Sequence, residues 1–298
     1  MINFLVPLYN PSNWFLERFE QFVIHNKKNR FIVLFDGLHN PELMAALCKD
    51  SRNVVKICVE RRLGLIDAHL YLLSKVKVGW VAFIHQDDLL FRTAVKAPPE
   101  QERHCLFVQP RRVWDRGSGS VLSYPSRYLH NSAASGNSSG ARSHIRRIIS
   151  RNYIGAPSSV LFYLRNTFKI DDIVREISPL FFDIVLYASL FCEGYRVRLT
   201  KSVWSDSLHG SKDQASNLLT GAESICTNLY DYDKLLRKYG CRPTINGVRQ
   251  AIGDDINITL SSLRRCNFSL IISTFLFFLY LKKLVKRVYH RRSSRSWK

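Results

Sequence analysis

The sequence has 298 residues, of which 46% are hydrophobic, 12% aromatic and 23% charged. A chain of this length and composition can bury one large α/β core or two smaller ones, which excludes a disordered protein and a small disulfide-stapled one. Its 44 Lys and Arg against 24 Asp and Glu leave a net charge of +20, which indicates an anionic partner: a nucleic acid, a lipid surface or a phosphorylated substrate.

Short apolar runs alternate with helix-like patterns over the first 90 residues. The predicted strands are residues 4–8, 31–35, 54–59 and 81–84, and the predicted helices between them are residues 14–24, 42–48 and 65–76. This order, with β-branched and aromatic residues in the strands, is typical of a parallel sheet covered by helices on both faces. The sequence therefore predicts an α/β fold with a mainly parallel central sheet.

The middle of the chain changes in composition. Residues 117–143 are rich in Ser, Gly, Asn and Ala, with little apolar periodicity, and this predicts a flexible loop. Beyond it we predict an extended segment over residues 152–162, a helix over 179–192, a strand over 195–203 and helical structure within 214–240.

The C-terminal end combines an apolar segment with dense positive charge. Residues 266–281 carry no charged side chain, and ten basic residues but no acidic one follow Asp255. These 16 residues make about 24 Å of helix, against a hydrocarbon core of roughly 30 Å. We expect the tail to lie at a membrane surface among anionic headgroups rather than to cross the bilayer, with a buried core helix as the alternative.

The N-terminus indicates the compartment. It has no basic segment, and its apolar run before Pro7 is too short for a signal peptide. The seven cysteines are scattered singly, as expected for reduced thiols in the cytosol. We therefore expect a protein on the cytoplasmic face of the inner or plasma membrane, held peripherally or by its C-terminus.

Two adjacent carboxylates, Asp87 and Asp88, follow the fourth predicted strand. Neighbouring side chains of an extended chain point to opposite sides, so the two can do different work. One can bind Mg²⁺ or Mn²⁺ together with diphosphate oxygens, while the other accepts a hydrogen bond from a sugar hydroxyl. A solvated pair of loop carboxylates is the alternative, but ligands bind at the carboxyl ends of parallel strands, and this position favours a site.

Several segments together resemble the family 2 glycosyltransferases. In the nucleotide-sugar half they are Val-Pro-Leu-Tyr-Asn at 6–10, Val-Leu-Phe-Asp-Gly at 33–37, the helix entry at Gly64 and Ile-His-Gln-Asp-Asp at 84–88. In the second half, residues 152–162 resemble the family's acceptor-side segment, 181–186 its catalytic-carboxylate helix and 208–211 a His-containing turn. The resemblance covers roughly residues 2–215 and implies a Rossmann-like α/β domain of the type called GT-A.

From this resemblance we predict that the chain has three parts. They are a GT-A domain over residues 1–215, a helical extension over 216–262 and an apolar and basic membrane-associating tail over 263–298. Within the domain we predict a nucleotide-sugar half over 1–90, the flexible loop over 117–143 and an acceptor half over 150–215.

The resemblance also implies roles for residues at the donor side. Pro7 and Tyr9 would shape the pocket for the nucleotide base, and Asp36 would accept a hydrogen bond from the base edge. Asp87 would contact the ribose or donor sugar. The alternative interpretation is that Asp36 only forms a turn with the Gly that follows it.

For the metal and the chemistry, the resemblance implies that Asp88 binds a divalent cation, Mn²⁺ or Mg²⁺, bridging the diphosphate. His209 would complete the metal shell or contact a phosphate, with an ordinary loop histidine as the alternative. Asp183 would be the general base. The alternative is that Asp183 is an ordinary residue in the first turn of a helix, where the helix dipole favours a carboxylate.

Some positions depart from the family pattern. His85 stands where many relatives have Asp, and Phe182 stands where an acidic residue commonly precedes the base. His69 lies in a helix start, Asp-Ala-His, where relatives often have Ala-Arg-Asn. The second departure makes the base assignment less secure, and the alternative bases are Asp171, Asp172 and Asp206. Arg61 and Arg62 are candidate partners of the diphosphate. The alternative is that they are simply an exposed basic pair.

The expected function is that of an inverting, metal-assisted glycosyltransferase. It would move a sugar from a nucleotide-diphosphate sugar to a glycan acceptor, lipid-linked as in surface polysaccharide biosynthesis. A catalytically decayed adaptor that binds membranes or nucleic acid on the same fold is the alternative. Nucleic acid is the less expected partner, because the basic residues of the tail follow an apolar run instead of interleaving with stacking aromatics.

Overall fold

The computed structural model describes residues 1–37, 41–110, 112–115, 119, 121–123, 140–150, 152–209, 222–242 and 244. The chain divides into two compact units, Met1–Ile148 with Asn152–Leu218, and Ile149–Arg151 with Leu219–Lys298. The first unit contains every residue that the sequence predicts for the site.

The strands are β1 (Ile2–Leu8), β2 (Arg30–Asp36), β3 (Val54–Val59), β4 (Gly79–Phe83), β5 (Asp88–Leu90), β6 (Cys105–Val108), β7 (Val113–Asp115), β8 (Val121–Ser123), β9 (Val160–Leu164), β10 (Arg196–Leu199) and β11 (Ser205–His209). The α-helices are α1 (Asn13–His25), α2 (Pro41–Ala46), α3 (Leu65–Ser74), α4 (Ala141–Ser150), α5 (Phe182–Cys192) and α6 (Ala222–Lys238). Short 3₁₀ turns lie at Glu100–Glu102, Pro157–Ser159, Asp172–Arg175 and Pro179–Phe181.

Seven strands form the central sheet, in the order β10-β6-β9-β4-β1-β2-β3. Strands β1 to β4 run parallel to their neighbours among themselves, and β10 runs parallel to β6. Strand β9 is antiparallel to both β4 and β6. The predicted α/β fold with a mainly parallel sheet is confirmed. A smaller sheet has the order β5-β11-β7-β8 and pairs Asp88 with Ser207.

The core beneath the first strands is aromatic. Helix α1 begins after Ser12, whose hydroxyl accepts the N–H of Phe15, and its buried residues recur at helical spacing. Phe4 of β1 stacks on Phe31 of β2 with ring centroids 5.1 Å apart, and meets Phe22 of α1 edge to face at 5.2 Å. These rings are fully buried, so β1 and β2 rest on a packed aromatic layer.

Two predicted elements of the second half differ from the structure. The predicted extended segment over 152–162 is wrong in its first part, since β9 begins only at Val160, after a loop and the Pro157–Ser159 turn. The loop turns because Gly155 has a φ of +92° and the carboxamide of Asn152 bonds to backbone N–H groups within it. The predicted helix over 179–192 begins as a 3₁₀ turn, and α5 starts at Phe182.

The predicted loop over 117–143 contains strand β8 and the start of α4, and most of its other residues lie outside the described part of the chain. Helix α6 falls within the predicted extension over 216–262. The predicted membrane-associating tail, residues 263–298, also lies outside the described residues. In the part of the chain that is described, no helix has the length and apolar character needed to cross a membrane.

Gln109, just after β6, is 1% exposed and joins three segments. Its Nε2 donates to the backbone oxygen of Ser158 (3.0 Å) and to Oγ of Ser205 (2.9 Å). Its Oε1 accepts the backbone N–H groups of Trp204 (2.8 Å) and Ser205 (3.2 Å). One buried carboxamide therefore ties the turn before β9 to the start of β11.

Gln109→Met should lower the free energy of unfolding by about 2 to 4 kcal/mol, because the variant keeps the side-chain volume but leaves several buried polar groups without their partner. Urea unfolding at equilibrium measures this change. Gln101→Met is the matched control, since Gln101 is exposed in a short turn, and should stay within about 0.5 kcal/mol of the wild type. Equal effects of the two variants would contradict the role of Gln109.

Candidate active site

The ends of β1 and β4 are fastened together at one edge of the central sheet. The two strands run parallel and adjacent, so their carboxyl ends meet there. Gln86, in the loop after β4, accepts the backbone N–H of Tyr9 (3.0 Å) and of Asn10 (3.2 Å) with a single Oε1. The structure thus brings Tyr9, one of the predicted base-binding residues, next to the segment that carries Asp87 and Asp88.

Tyr9 and Arg62 form a stacked pair at this edge. Tyr9 is 42% exposed, and the guanidinium carbon of Arg62 lies 3.5 Å from its ring centroid, a cation–π contact. Pro7 is half-buried inside β1, where it pairs in register with Leu34 of β2. Tyr9 is therefore the accessible member of the predicted base pocket, and Arg62, a predicted diphosphate partner, covers one face of its ring.

Asp36, the last residue of β2, is 4% exposed. Its carboxylate accepts the backbone N–H of Leu63 (2.6 Å) and of Gly64 (3.1 Å), just before α3. The next residue, Gly37, lies so close to this loop that a Cβ there would come within 3.0 Å of the Cβ of Arg62. Asp36 therefore fixes the entry to α3, and its contact with a nucleotide base stays a prediction.

The two adjacent carboxylates differ sharply in their surroundings. Asp88 is 1% exposed; Oδ2 accepts the backbone N–H of His85 (2.8 Å) and Oδ1 accepts the hydroxyl of Ser158 (3.0 Å). Asp87 is half-buried, and no residue in the described part of the chain forms a hydrogen bond or ion pair with its carboxylate. Asp87 is thus the more available of the two, and Asp88 is held in place by the protein.

The donor atoms at this corner suit an ion with an incomplete protein shell. No group of three or more His, Cys, Asp or Glu that could hold a metal ion occurs among the described residues. Mg²⁺ and Mn²⁺ commonly use one or two carboxylates and take their other ligands from water and phosphates, so Asp87 and Asp88 fit such an ion. His209 is the last residue of β11, two residues beyond Ser207, which pairs with Asp88. The structure describes the backbone of His209 but not its side chain.

A pair of histidines lies behind this corner. Nδ1 of His69 is 2.6 Å from the backbone oxygen of Leu65, and its Nε2 is 2.9 Å from Nε2 of His85. Burial lowers the pKa of His69 to about 3, so the ring is neutral, with its proton on Nδ1. His85 must then donate from Nε2 to His69. Both positions depart from the family pattern in the sequence, but nothing in the sequence indicates that the two side chains pair.

Asp183 lies in the first turn of α5 and is half-buried. Its Oδ1 accepts the backbone N–H of Ile184 (2.7 Å), and its Oδ2 accepts Nδ2 of Asn152. Burial raises the pKa of Asp183 to about 7, although these hydrogen bonds act to lower it. A carboxyl group that titrates near neutral pH has the property required of a general base.

The helix that carries Asp183 contacts the donor corner through aromatic rings. Phe182, the residue before Asp183, packs against His69 with ring centroids 4.6 Å apart, and His69 in turn bonds to His85. The structure therefore brings the start of α5 and the Asp87 segment to the same region. Phe182 fills this space with apolar surface.

Two of the three alternative bases already accept hydrogen bonds within the protein, and the third is exposed. Asp206 is fully buried and accepts Nε of Arg112 (2.8 Å) and Nε1 of Trp114 (2.7 Å). Asp171 accepts the backbone N–H of Ile173 at the start of the Asp172–Arg175 turn, and Asp172 is exposed.

The comparisons with known proteins concern the fold. No protein-family model matches the sequence, and no curated protein matches it. The structure is similar to S. aureus TarS 1–349 in complex with UDP-GlcNAc, with a TM-score of 0.53 and 12% identity, over 88% of this chain and 77% of that one. A second crystal structure of TarS 1–349 gives a TM-score of 0.50 and 11% identity, over 88% and 76%. At this identity the similarity shows the fold alone, and the mainly parallel central sheet is consistent with a GT-A-like fold.

Proposed function

We propose that the chain is an inverting glycosyltransferase that moves a sugar from a nucleotide-diphosphate sugar to a hydroxyl group of a glycan acceptor. One observation carries this proposal. Asp183, with its raised pKa, begins a helix that contacts the strand-end corner of Asp87 and Asp88 through Phe182 and the two histidines. A proton acceptor and a potential diphosphate site are thereby neighbours in one region of a GT-A-like fold.

The donor half of the proposal uses the edge formed by β1, β2 and β4. The exposed ring of Tyr9 offers a stacking surface for the base, and the guanidinium of Arg62 beside it offers a positive charge to the diphosphate. Asp36 and Asp87 are the proposed contacts of the base edge and of the ribose or sugar. A nucleotide sugar as the class of donor is supported by the TarS complex with UDP-GlcNAc.

Asp88 is the proposed holder of a divalent cation, Mn²⁺ or Mg²⁺, with His209 as a further ligand or phosphate contact. When bound, such a cation neutralises the charge that builds on the departing nucleoside diphosphate. The bonds from His85 and Ser158 fix the Asp88 carboxylate before any ligand arrives, so little reorganisation is needed when the site fills.

Asp183 is the proposed general base. It accepts the proton of the acceptor hydroxyl while that oxygen forms a bond to the anomeric carbon and the bond from this carbon to the diphosphate oxygen breaks. Attack from the face opposite the leaving group inverts the configuration, and no covalent intermediate with the protein forms. A base placed in this way typically contributes about 10² to 10⁴ in rate.

The place and acceptor of the reaction are also part of the proposal. The apolar and basic tail over residues 263–298 would hold the enzyme at the cytoplasmic face of a membrane, in contact with anionic headgroups. A lipid-linked glycan in surface polysaccharide biosynthesis is the acceptor that such a location favours, because enzyme and acceptor then meet on one surface.

A thermal-shift panel of UDP, GDP, TDP and CMP sugars, each with Mn²⁺ and with EDTA, tests the proposed function. One nucleotide sugar at about 100 times its Kd should stabilise the folded state by about 2.7 kcal/mol, which raises the melting temperature by roughly 5 °C only when Mn²⁺ is present. The matching free sugar is the control and should have no effect. Indifference to every nucleotide sugar, with salt-sensitive binding to anionic liposomes or RNA, would instead support the adaptor.

A further inference from the structure

We propose that Asn152 is a positioning residue for Asp183, which it holds in the orientation and ionised form that accept a proton. The inference rests on the proposed function, in which Asp183 is the general base. Nothing in the sequence pattern of residues 152–162 distinguishes Asn152 from an ordinary loop asparagine, and the proposal comes from the contacts of its carboxamide.

The orientation of the Asn152 carboxamide is decided by its own loop. One of its two terminal atoms lies 3.2 Å from the backbone nitrogen of Ile154 and 3.0 Å from that of Gly155. Backbone N–H groups only donate, so this atom is Oδ1. The NH₂ group is therefore on the other side, where it donates to the backbone oxygen of Gly155 (3.2 Å) and to Oδ2 of Asp183.

The loop is also fastened to the helix of the base. Tyr187, one turn after Asp183 on α5, is fully buried, and its hydroxyl donates to the backbone oxygen of Gly155 (2.8 Å). Gly155 has a φ of +92°, which disfavours any residue with a side chain. Asn152, Gly155, Tyr187 and Asp183 thus form a closed set of contacts, and the loop and helix cannot separate without breaking them.

An amide N–H donates a hydrogen bond to an ionised carboxylate and so stabilises it. A protonated carboxyl group is itself a donor and is not stabilised in this way, so the bond favours the ionised form. Burial raises the pKa of Asp183 to about 7, and the bond from Asn152 acts against that rise. Loss of this donor should raise the pKa further, and Asp183 would then be protonated at neutral pH and unable to act as a base.

Other charges near α5 leave this interpretation intact. The titratable and charged groups on the elements packed against α5 include Asp67 and His69 on α3, with His85 behind His69, and Arg142, His144, Arg146 and Arg147 on α4. Tyr153 lies in the loop, and Asp171, Asp172, Arg175 and Glu176 lie in and beside the Asp172–Arg175 turn. Burial lowers the pKa of His69 and His144 and raises that of Tyr153, so these three are uncharged around neutral pH. The causes of the shift at Asp183 are burial and hydrogen bonds, not a charged neighbour.

The experiment compares kcat as a function of pH, from about pH 6 to 9, in Asn152→Asp, Asn152→Ser and the wild type. In Asn152→Asp one oxygen still accepts the two loop N–H groups, but the other faces Asp183, and two close carboxylates share a proton. The acid limb of the profile should move up by at least about 1 pH unit, so kcat falls about tenfold near pH 6.5 and recovers near pH 9. KM for the donor sugar should stay unchanged.

Asn152→Ser provides a second, independent variant. A serine hydroxyl can still accept the N–H groups of the turn, as asparagine does, but its side chain is too short to reach Asp183. Its acid limb should also move up, by a smaller amount. Asn166→Asp is the matched control, because Asn166 is exposed in another loop, and its profile should equal that of the wild type.

The outcomes separate this inference from the proposed function. A loss of kcat that is equal at every pH, or an acid limb that stays in place in both folded variants, would overturn the positioning role. Failure of both variants to fold would overturn it too, since Asn152 would then be needed for structure alone. Full activity of Asp183→Asn would instead remove the base assignment itself, whatever the Asn152 variants show.

Discussion

Asp183→Asn should bind the donor nucleotide sugar as tightly as the wild type and turn it over about 10² to 10⁴ times more slowly. The substitution keeps the shape of the side chain and removes the group that accepts the proton. Donor affinity is expected to survive because Asp183 lies on α5, whereas the proposed donor contacts lie at the ends of β1, β2 and β4. Calorimetry of donor binding and steady-state kinetics measure the two quantities.

Glu193→Gln is the control for this comparison. It removes a carboxylate at the other end of α5, where Glu193 is exposed, and kcat should remain within about twofold of the wild type. Retained turnover in Asp183→Asn would remove Asp183 as the base. A loss of donor affinity without a loss of kcat would place Asp183 in the donor site instead.

Asp88→Asn should weaken the Mn²⁺-dependent part of donor binding by at least about 10- to 100-fold, the range found even for residues that only support metal ligands. The variant is expected to keep its fold. Its Oδ1 can still accept the N–H of His85, and its NH₂ group can donate to the hydroxyl of Ser158, which both donates and accepts. The change therefore removes the charge while preserving the contacts. Calorimetric titration of the donor with Mn²⁺ and with EDTA measures the effect.

Asp87→Asn is the companion variant and should lower donor affinity by a similar factor with and without Mn²⁺, because Asp87 is the proposed contact of the ribose or sugar. If the two phenotypes are exchanged, the metal role passes to Asp87, the more accessible carboxylate. Unchanged binding in both variants would contradict a metal-assisted donor site at this corner.

The first half of the fold was predictable because its signals are local. Strand β3 has the predicted bounds, and α3 ends two residues before the predicted helix end. The apolar runs of β1, β2 and β4 are buried over nearly their whole length, as expected for strands of a parallel sheet that is covered on both faces. The three-residue strands β5, β7 and β8 are too short to show such a period, and the sequence analysis missed them.

The sequence locates the predicted site residues at strand ends and at a helix start, but it does not indicate what surrounds them. Asp87 and Asp88 have the same chemistry in sequence, but Asp88 is buried and accepts a hydrogen bond from Ser158, which is 70 residues away. The segment from Asn152 has the apolar residues of a strand, such as Tyr153 and Ile154, yet these are buried from a loop. The carboxamide of Asn152 forms hydrogen bonds within its own turn and so determines the shape of this loop. Hydrophobic periodicity gives no sign of such a bond.

The direction of strand β9 determines which parts of the chain meet. Because β9 is antiparallel to β4, its first residues lie beside the end of β4, with Leu161 opposite Ala82. The chain therefore enters β9 at the edge of Asp87 and leaves it at the far edge. If β9 ran parallel to β4, its entry would lie about 16 Å away, at 3.3 Å per residue for five residues. Ser158 would then be out of reach of Asp88, so a single reversed strand makes one site from two distant stretches of sequence.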